Sequence, residues 1–272
     1  MEKQNQLSSE RDYLQPNINS LPYFRAVLRA VEAKVYQAYD LPRPIYDLGC
    51  GDGHFESITF DEKIDVGLDP WAAPLKEAVR SNGYDLVIQA NGAAVPFTDG
   101  YFNSAFSNSV LEHIPDVDAV LRETNRVLAP EAPFLFCVPN HQFLSNLSVA
   151  QFLDKIHLNG LADQYRTFFN KISRHHHCDS PEVWQARLAT HGFEVLDYWH
   201  YFSPKAFHIL EWGHYFGLPA LILKKLIGKW ILVPSRWNLS LTRRLVSPAY
   251  QEDRRQPDGA YTFYIAKKTS KS

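Results

Sequence analysis

Three glycines in alternation, Gly49, Gly51 and Gly53, and an aspartate about 20 residues further on, Asp69, are the residues of this chain best spaced to hold a ligand. Glycine lets a backbone turn sharply and lets a ligand lie directly against it. A carboxylate at the end of the next strand can accept hydrogen bonds from both hydroxyls of a ribose. The loop Asp47-Leu48-Gly49-Cys50-Gly51-Asp52-Gly53 follows the apolar pair Ile45-Tyr46, and Asp69 closes Val66-Gly67-Leu68, so both sit at the ends of predicted buried strands. The pattern describes a nucleoside-binding α/β site. A dinucleotide fingerprint runs G-x-G-x-x-G into a long helix whose N-terminus holds a pyrophosphate. Here it runs G-x-G-x-G, and residues 54–63 leave room for little more than about two helical turns. No lysine-bearing phosphate loop is present. A ligand with an adenosine and no phosphate fits this spacing better.

S-adenosylmethionine (SAM) is the common ligand of that kind, and further motifs follow in order. They are Asn91-Gly92-Ala93-Ala94-Val95-Pro96-Phe97, then Ser109-Val110-Leu111-Glu112-His113-Ile114, then Leu121-Arg122-Glu123 through Arg126-Val127-Leu128-Ala129-Pro130, then the apolar Phe134 to Pro139. With the glycine loop and Val66 to Asp69, this set resembles the class I SAM-dependent methyltransferases of the type 11 group. The resemblance spans residues 43–140, with 179–200 and 260–268 added. It implies SAM as cofactor and S-adenosylhomocysteine as product. Asp47 would lie near the methionine amine, beside the loop residues Gly49, Cys50, Gly51 and Gly53. Asp69 would take the ribose hydroxyls; Pro70 and Trp71 follow it, and Trp71 would either pack beside the adenine or cover the surface. Asn91 stands where the family often has Asp, and would still offer a carbonyl acceptor to the adenine amine. Gly92 and Ala93 would add backbone contacts, and Asn108 and Ser109 would flank the methionine end at the carboxyl edge of the sheet.

The sulfonium of SAM makes its methyl group electrophilic, so the protein has to align the acceptor and exclude water. A neutral hydroxyl or ammonium acceptor also needs a base. Candidates are Glu112 and His113 after strand four, His141 after strand five, the run His175-His176-His177, and Tyr201 after strand six. The Glu112-His113 pair recurs across the family, which favours a structural role there. His141 divides evenly between site and surface. Three consecutive histidines cannot all face one way, and no Cys/His framework accompanies them, so no metal is expected. Cys50 reads as a small residue near the cofactor rather than a nucleophile.

The elements that must carry these residues alternate as in a parallel doubly wound sheet. The expected fold is α/β, a Rossmann-like class I methyltransferase sandwich with a seven-stranded, mostly parallel sheet and helical insertions. Strands are predicted at 44–48, 64–68, 85–89, 103–108, 133–138, 193–200 and 261–266, the last antiparallel beside strand six. Helices are predicted at 21–39, 72–81, 116–128 and 181–191, the last with Ser180 as N-cap and Pro181 at its first position. The divisions are an arm and helix (1–42, with 1–19 a loose arm), the SAM core (43–140), a helical insertion (141–178), core helix and strand six (179–202), a helical cap (203–259) and the final strand with tail (260–272).

Composition bounds the rest. The 272 residues are 45% hydrophobic with a net charge of −2, so no nucleic-acid partner is indicated. Three scattered cysteines and a polar N-terminus without an apolar signal core suggest the cytoplasm. Between Ser203 and Ser247, seven cations stand against Glu211 alone, a balance of +6. Trp212, Trp230 and Trp237 and the apolar run Leu221 to Val233 accompany them. Such a segment either caps the acceptor pocket with its apolar face as core, or also lies on an anionic membrane. The expected function is methyl transfer to a small-molecule, glycan or lipid-linked acceptor, oxygen being the first choice of acceptor atom. The alternatives are a non-catalytic SAM-fold binding protein and a nicotinamide-dependent oxidoreductase. The sequence leaves the oligomeric state open.

Overall fold

A computed structural model describes residues 11–270. Its strands are β1 (Ile45–Leu48), β2 (Ile64–Asp69), β3 (Tyr84–Gln89), β4 (Ser104–Asn108), β5 (Pro133–Pro139), β6 (Phe193–Tyr201) and β7 (Tyr261–Lys268). They form one sheet in the order β3-β2-β1-β4-β5-β7-β6. β1 to β5 pair in parallel, and β7 runs antiparallel to both neighbours. β1, β4 and β5 are buried along their whole length, as strands covered by helices on both faces must be. β7 therefore sits inside the sheet, with Phe263 of its one register set facing Cys137 on β5 and Trp199 on β6.

The helices are α1 (Leu14–Ser20), α2 (Tyr23–Tyr36), α3 (His54–Thr59), α4 (Ala72–Ser81), α5 (Val117–Val127), α6 (Ser148–Lys155), α7 (Asn159–Ser173), α8 (Pro181–Thr190), α9 (Pro204–Phe216), α10 (Leu218–Ile227) and α11 (Ser240–Tyr250). One face of the sheet is covered by α5 and α8, through Val120, Leu121, Trp184 and Leu188. The other face is covered by α2 and the helices of both insertions, and Tyr36 of α2 packs edge-on against Phe55, Phe106 and Phe263.

Two sequence expectations need correction. The arm expected over 1–19 becomes helix α1 from Leu14 onward, because Tyr13, Leu14, Ile18 and Leu21 repeat at helical spacing and are buried; residues 1–10 lie outside the described residues. Helix 21–39 is shorter at both ends, since Pro22 is the N-cap of α2 and Gln37 its C-cap. Ser180 does occupy the N-cap of α8, but its side chain makes no capping bond to the backbone.

Candidate functional site

The carboxyl ends of β1, β2 and β4 open onto a cleft of about 740 Å³. The glycine loop folds over β2, where the N–H groups of Gly49 and Cys50 both donate to the carbonyl of Leu68 at 2.8 and 3.0 Å. Gly49 has φ +84°, and a Cβ there would stand 2.4 Å from a methyl of Val110, so the turn and its close packing both require glycine. Gly51 has φ +55° and nothing within 4 Å of where its Cβ would be, so it presents bare backbone to the cleft. The N–H of Gly51 donates to Asp69 Oδ2 at 3.1 Å, and that of Trp71 donates to Asp69 Oδ1 at 2.9 Å. Each carboxylate oxygen keeps a further lone pair for a ligand. Pro70 and Trp71 line the cleft beyond Asp69, the indole 71% exposed with its face unoccupied by protein.

Asn91 and Gly92 line the same cleft, whereas Ala93 does not. Asn91 Oδ1 accepts from the N–H of Ala93 at 2.9 Å, which fixes the turn and leaves one lone pair on that oxygen. Asn108 lines the cleft with its amide nitrogen buried and unpartnered, while its carbonyl accepts from the thiol of Cys137 at 2.8 Å. Ser109 lies at the deep end, its hydroxyl donating to Glu32 Oε1 at 3.2 Å. Cys50 is buried, and burial pushes its thiol well above the ordinary range, which suits a packing residue and not a nucleophile.

Asp47 stands near the carboxyl end of β1. It is buried outside the cleft lining, taking the hydroxyl of Tyr84 on Oδ2 at 2.5 Å. Glu56 of α3 lines the cleft instead, and its carboxyl packs against that of Asp47. Burial, and then the neighbouring Glu56 carboxyl, holds Asp47 protonated well above the usual carboxylate range. Glu56 Oε2 is left without a protein partner. Nothing in the sequence pattern marked Glu56, because a single acid in a six-residue helix carries no periodic signal.

A second chamber of about 240 Å³ adjoins the cleft, sharing Arg25, Arg29, Ser109 and His113 with it. Its walls come from α2, α7, α9 and β7, with Leu28, Phe143 and Leu210 supplying the apolar part. Arg29 is anchored by Glu32 at 2.5 Å, and Glu32 also accepts from Tyr201 at 3.0 Å. Tyr201 is thus buried behind the chamber and does not line it, which removes it as a base. His141 is exposed near His200, ring centroids 5.8 Å apart, and lines neither cavity. Of the proposed histidines, His113 faces both cavities. The run divides as its spacing requires. His175 lines the chamber, and the Nε2 of His177 meets the carbonyl of Ile114 at 3.0 Å. Burial lowers the basicity of His113, and drives that of His175 down to about 3, so both imidazoles are neutral at physiological pH.

The basic segment behaves in two ways. Glu211, its one acid, points inward and takes bonds from Ser148 and Val149 backbone N–H groups and from Tyr165, tying the two insertions together. α10 buries none of its residues. Leu226, Trp237 and Leu241 are 76%, 77% and 76% exposed, so the apolar face expected as core is instead on the surface. Lys224 reaches Glu77 at 3.5 Å and Arg243 reaches Asp12 at 2.6 Å. Among the described residues no helix is long and apolar enough to cross a membrane.

Comparison with known proteins agrees with this geometry. Residues 46–136 match the family model described as a methyltransferase domain. The malonyl-acyl-carrier protein O-methyltransferase of Legionella pneumophila is 32% identical over 101 residues, 35% of this chain and 36% of that protein. The ubiquinone/menaquinone biosynthesis C-methyltransferase UbiE of a Shewanella species is 31% identical over 120 residues, 41% of this chain and 46% of that protein. The chain thus matches less than half the length of these relatives. A solved SAM-dependent methyltransferase from Thermotoga maritima shares the fold, with a TM-score of 0.53, 15% identity and 91% of each chain covered.

Proposed function

We propose that this chain, a member of the methyltransferase-domain family through residues 46–136, binds SAM in the 740 Å³ cleft and transfers its methyl group to an acceptor in the adjoining chamber. The observation that carries this reading is the bare backbone of Gly51 bonded to Asp69 at the cleft floor. Asp69 accepts the ribose hydroxyls, the indole of Trp71 lies along the adenine, and Asn91 and Gly92 close around it. Glu56 takes over from Asp47 the part of the acid facing the methionine ammonium, and its unpartnered oxygen is available for that bond. The orphaned amide of Asn108 donates to the methionine carboxylate.

Transfer is an in-line displacement. The acceptor's lone pair forms the new bond to the methyl carbon as the carbon–sulfur bond breaks, and S-adenosylhomocysteine leaves. The protein contributes position and dryness, worth several kcal/mol. The chamber's aromatic and aliphatic walls suit an apolar body, and Arg25 and Arg29 at the junction suit an anionic or carbonyl group on it. Oxygen is the acceptor atom this reading prefers.

The exposed apolar and basic surface from α10 to α11 supports an acceptor carried by a membrane lipid. Leu218, Ile222, Leu226, Trp237 and Leu241 are exposed there, residues 218–250 contain no acid, and an anionic membrane surface answers both features. Incubating the protein with methyl-labelled SAM and a cell extract tests the function. Label in the organic phase, with S-adenosylhomocysteine released, is expected. SAM binding without label in either phase would replace this reading with a non-catalytic one.

A further inference from the structure

Glu112, His113 and His175 come together at the wall between cleft and chamber. One ligand atom from each lies within 4.8 Å of the other two. Glu112 is buried, and its Oε2 has no hydrogen-bond partner at all. A buried carboxylate oxygen left alone costs stability unless something outside the protein pairs with it. The neighbouring backbone already orients the ligands. Nδ1 of His113 meets the carbonyl of Arg174 at 3.0 Å, which requires the proton on Nδ1, and its Nε2 stands 3.7 Å from the other carboxylate oxygen of Glu112, Oε1. Nδ1 of His175 contacts the sulfur of Cys178 at 3.6 Å, leaving its Nε2 available. A carbonyl behind a ligating imidazole is the usual outer partner in metal sites.

We propose that Glu112, His113 and His175 bind one divalent transition-metal ion at the junction of the two cavities. Two imidazoles and one carboxylate suit zinc, cobalt, iron or manganese, not calcium or magnesium. Bonds of 2.0–2.1 Å place tetrahedral ligands about 3.3 Å apart. The trio, spaced up to 4.8 Å apart, must therefore draw in by as much as about 1.5 Å on binding. Three protein ligands leave a coordination position open toward the chamber, where an oxygen of the acceptor can bind. The site stands on its own ligand geometry and does not depend on which cofactor fills the cleft.

Chelator-treated full-length protein titrated with cobalt(II) provides the test, read by visible absorption and by competition with zinc in calorimetry. One saturating equivalent is expected, with the weak bands of nitrogen and oxygen ligation. Glu112→Gln and His175→Ala should each weaken cobalt by about tenfold or more. His141→Ala, an exposed imidazole outside both cavities, should leave it unchanged. Thermal unfolding of each variant without metal shows whether it is folded, and competition by unlabelled SAM shows whether the cleft is intact. Absence of saturable cobalt binding by the unaltered protein, binding that survives both substitutions, or intense sulfur charge-transfer absorption pointing to Cys178 would each overturn the site.

Discussion

The cofactor cleft and the surface of α10 both carry apolar side chains, buried at the first and exposed at the second. Around the cleft, Leu48 and Leu68 are buried with Val120, and Asp69 is held by the N–H groups of Gly51 and Trp71, while Glu56 Oε2 and the Asn108 amide have no protein partner. On α10, Leu218, Ile222 and Leu226 face outward beside Lys224 and Lys225, and no residue of the helix is buried. Hydrophobic content therefore does not locate the core. Which side chains the sheet can cover does. Among the described residues nothing covers the open surface, and a membrane is the counterpart proposed for it.

Breaking the closed half should have the largest effect. β7 lies between β5 and β6 and buries Phe263 and Tyr264, so deleting residues 260–272 removes a central strand. Loss of cooperative thermal unfolding is expected. A truncated protein with an unchanged transition would show that the sheet does not need this strand.

Next come two glycines of one loop. Gly49→Ala places a methyl against Val110 in addition to a positive φ, and should cost about 1–3 kcal/mol of overpacking beyond the backbone term. Gly51→Ala meets open space and should cost only the roughly 1–2 kcal/mol of a left-handed alanine, while SAM binding falls sharply because its methyl occupies the ligand's side. Chemical denaturation alongside calorimetry separates the two. Equal stability losses with equal affinity losses would contradict the division.

The open half should behave in reverse. Replacing Leu226, Trp237 and Leu241 with serine should leave thermal stability within about 0.5 kcal/mol, as surface changes do. Co-sedimentation with anionic vesicles should be lost at the same time. Retained vesicle binding, or a large stability loss, would mean that this surface is covered by protein.

The smallest expected effect lies at the rim of the closed half. Glu131 accepts from Lys267 at 2.7 Å and from Ser270, and these bonds hold its carboxyl down to about 2. A lowered folded-state value contributes stability that is present above the unfolded value, near 4.3, and is lost as pH falls toward 2. Glu131→Gln should therefore reduce the melting temperature slightly at neutral pH and not at all near pH 2. High salt should shrink the difference, since the group is exposed.

The cleft was legible in the sequence because its parts are local. A turn needing Gly49 and Gly51, and an acid closing the next strand, are each written within a few residues, and a mostly parallel sheet follows from the alternation of strands and helices. The second chamber was not legible. Arg29, Phe143, His175 and Tyr261 are far apart in sequence, and only the packing of both insertions over α2 brings them to one wall. The surroundings of Asp47 were hidden for a similar reason. The motif fixes its backbone, but the groups that meet its side chain, Tyr84 and Glu56, come from other elements.

Calorimetry of SAM, S-adenosylhomocysteine and NAD with the unaltered protein and with Asp69→Ala tests the central claim most directly. Asp69 is the one side chain that both closes β2 and bonds the bare backbone of Gly51. SAM and S-adenosylhomocysteine should bind one per chain, NAD should bind more weakly, and the substitution should weaken SAM by about 1–3 kcal/mol, the usual loss of a hydrogen bond to a charged group. Unchanged SAM affinity in Asp69→Ala, or tighter binding of NAD than of SAM, would contradict the account.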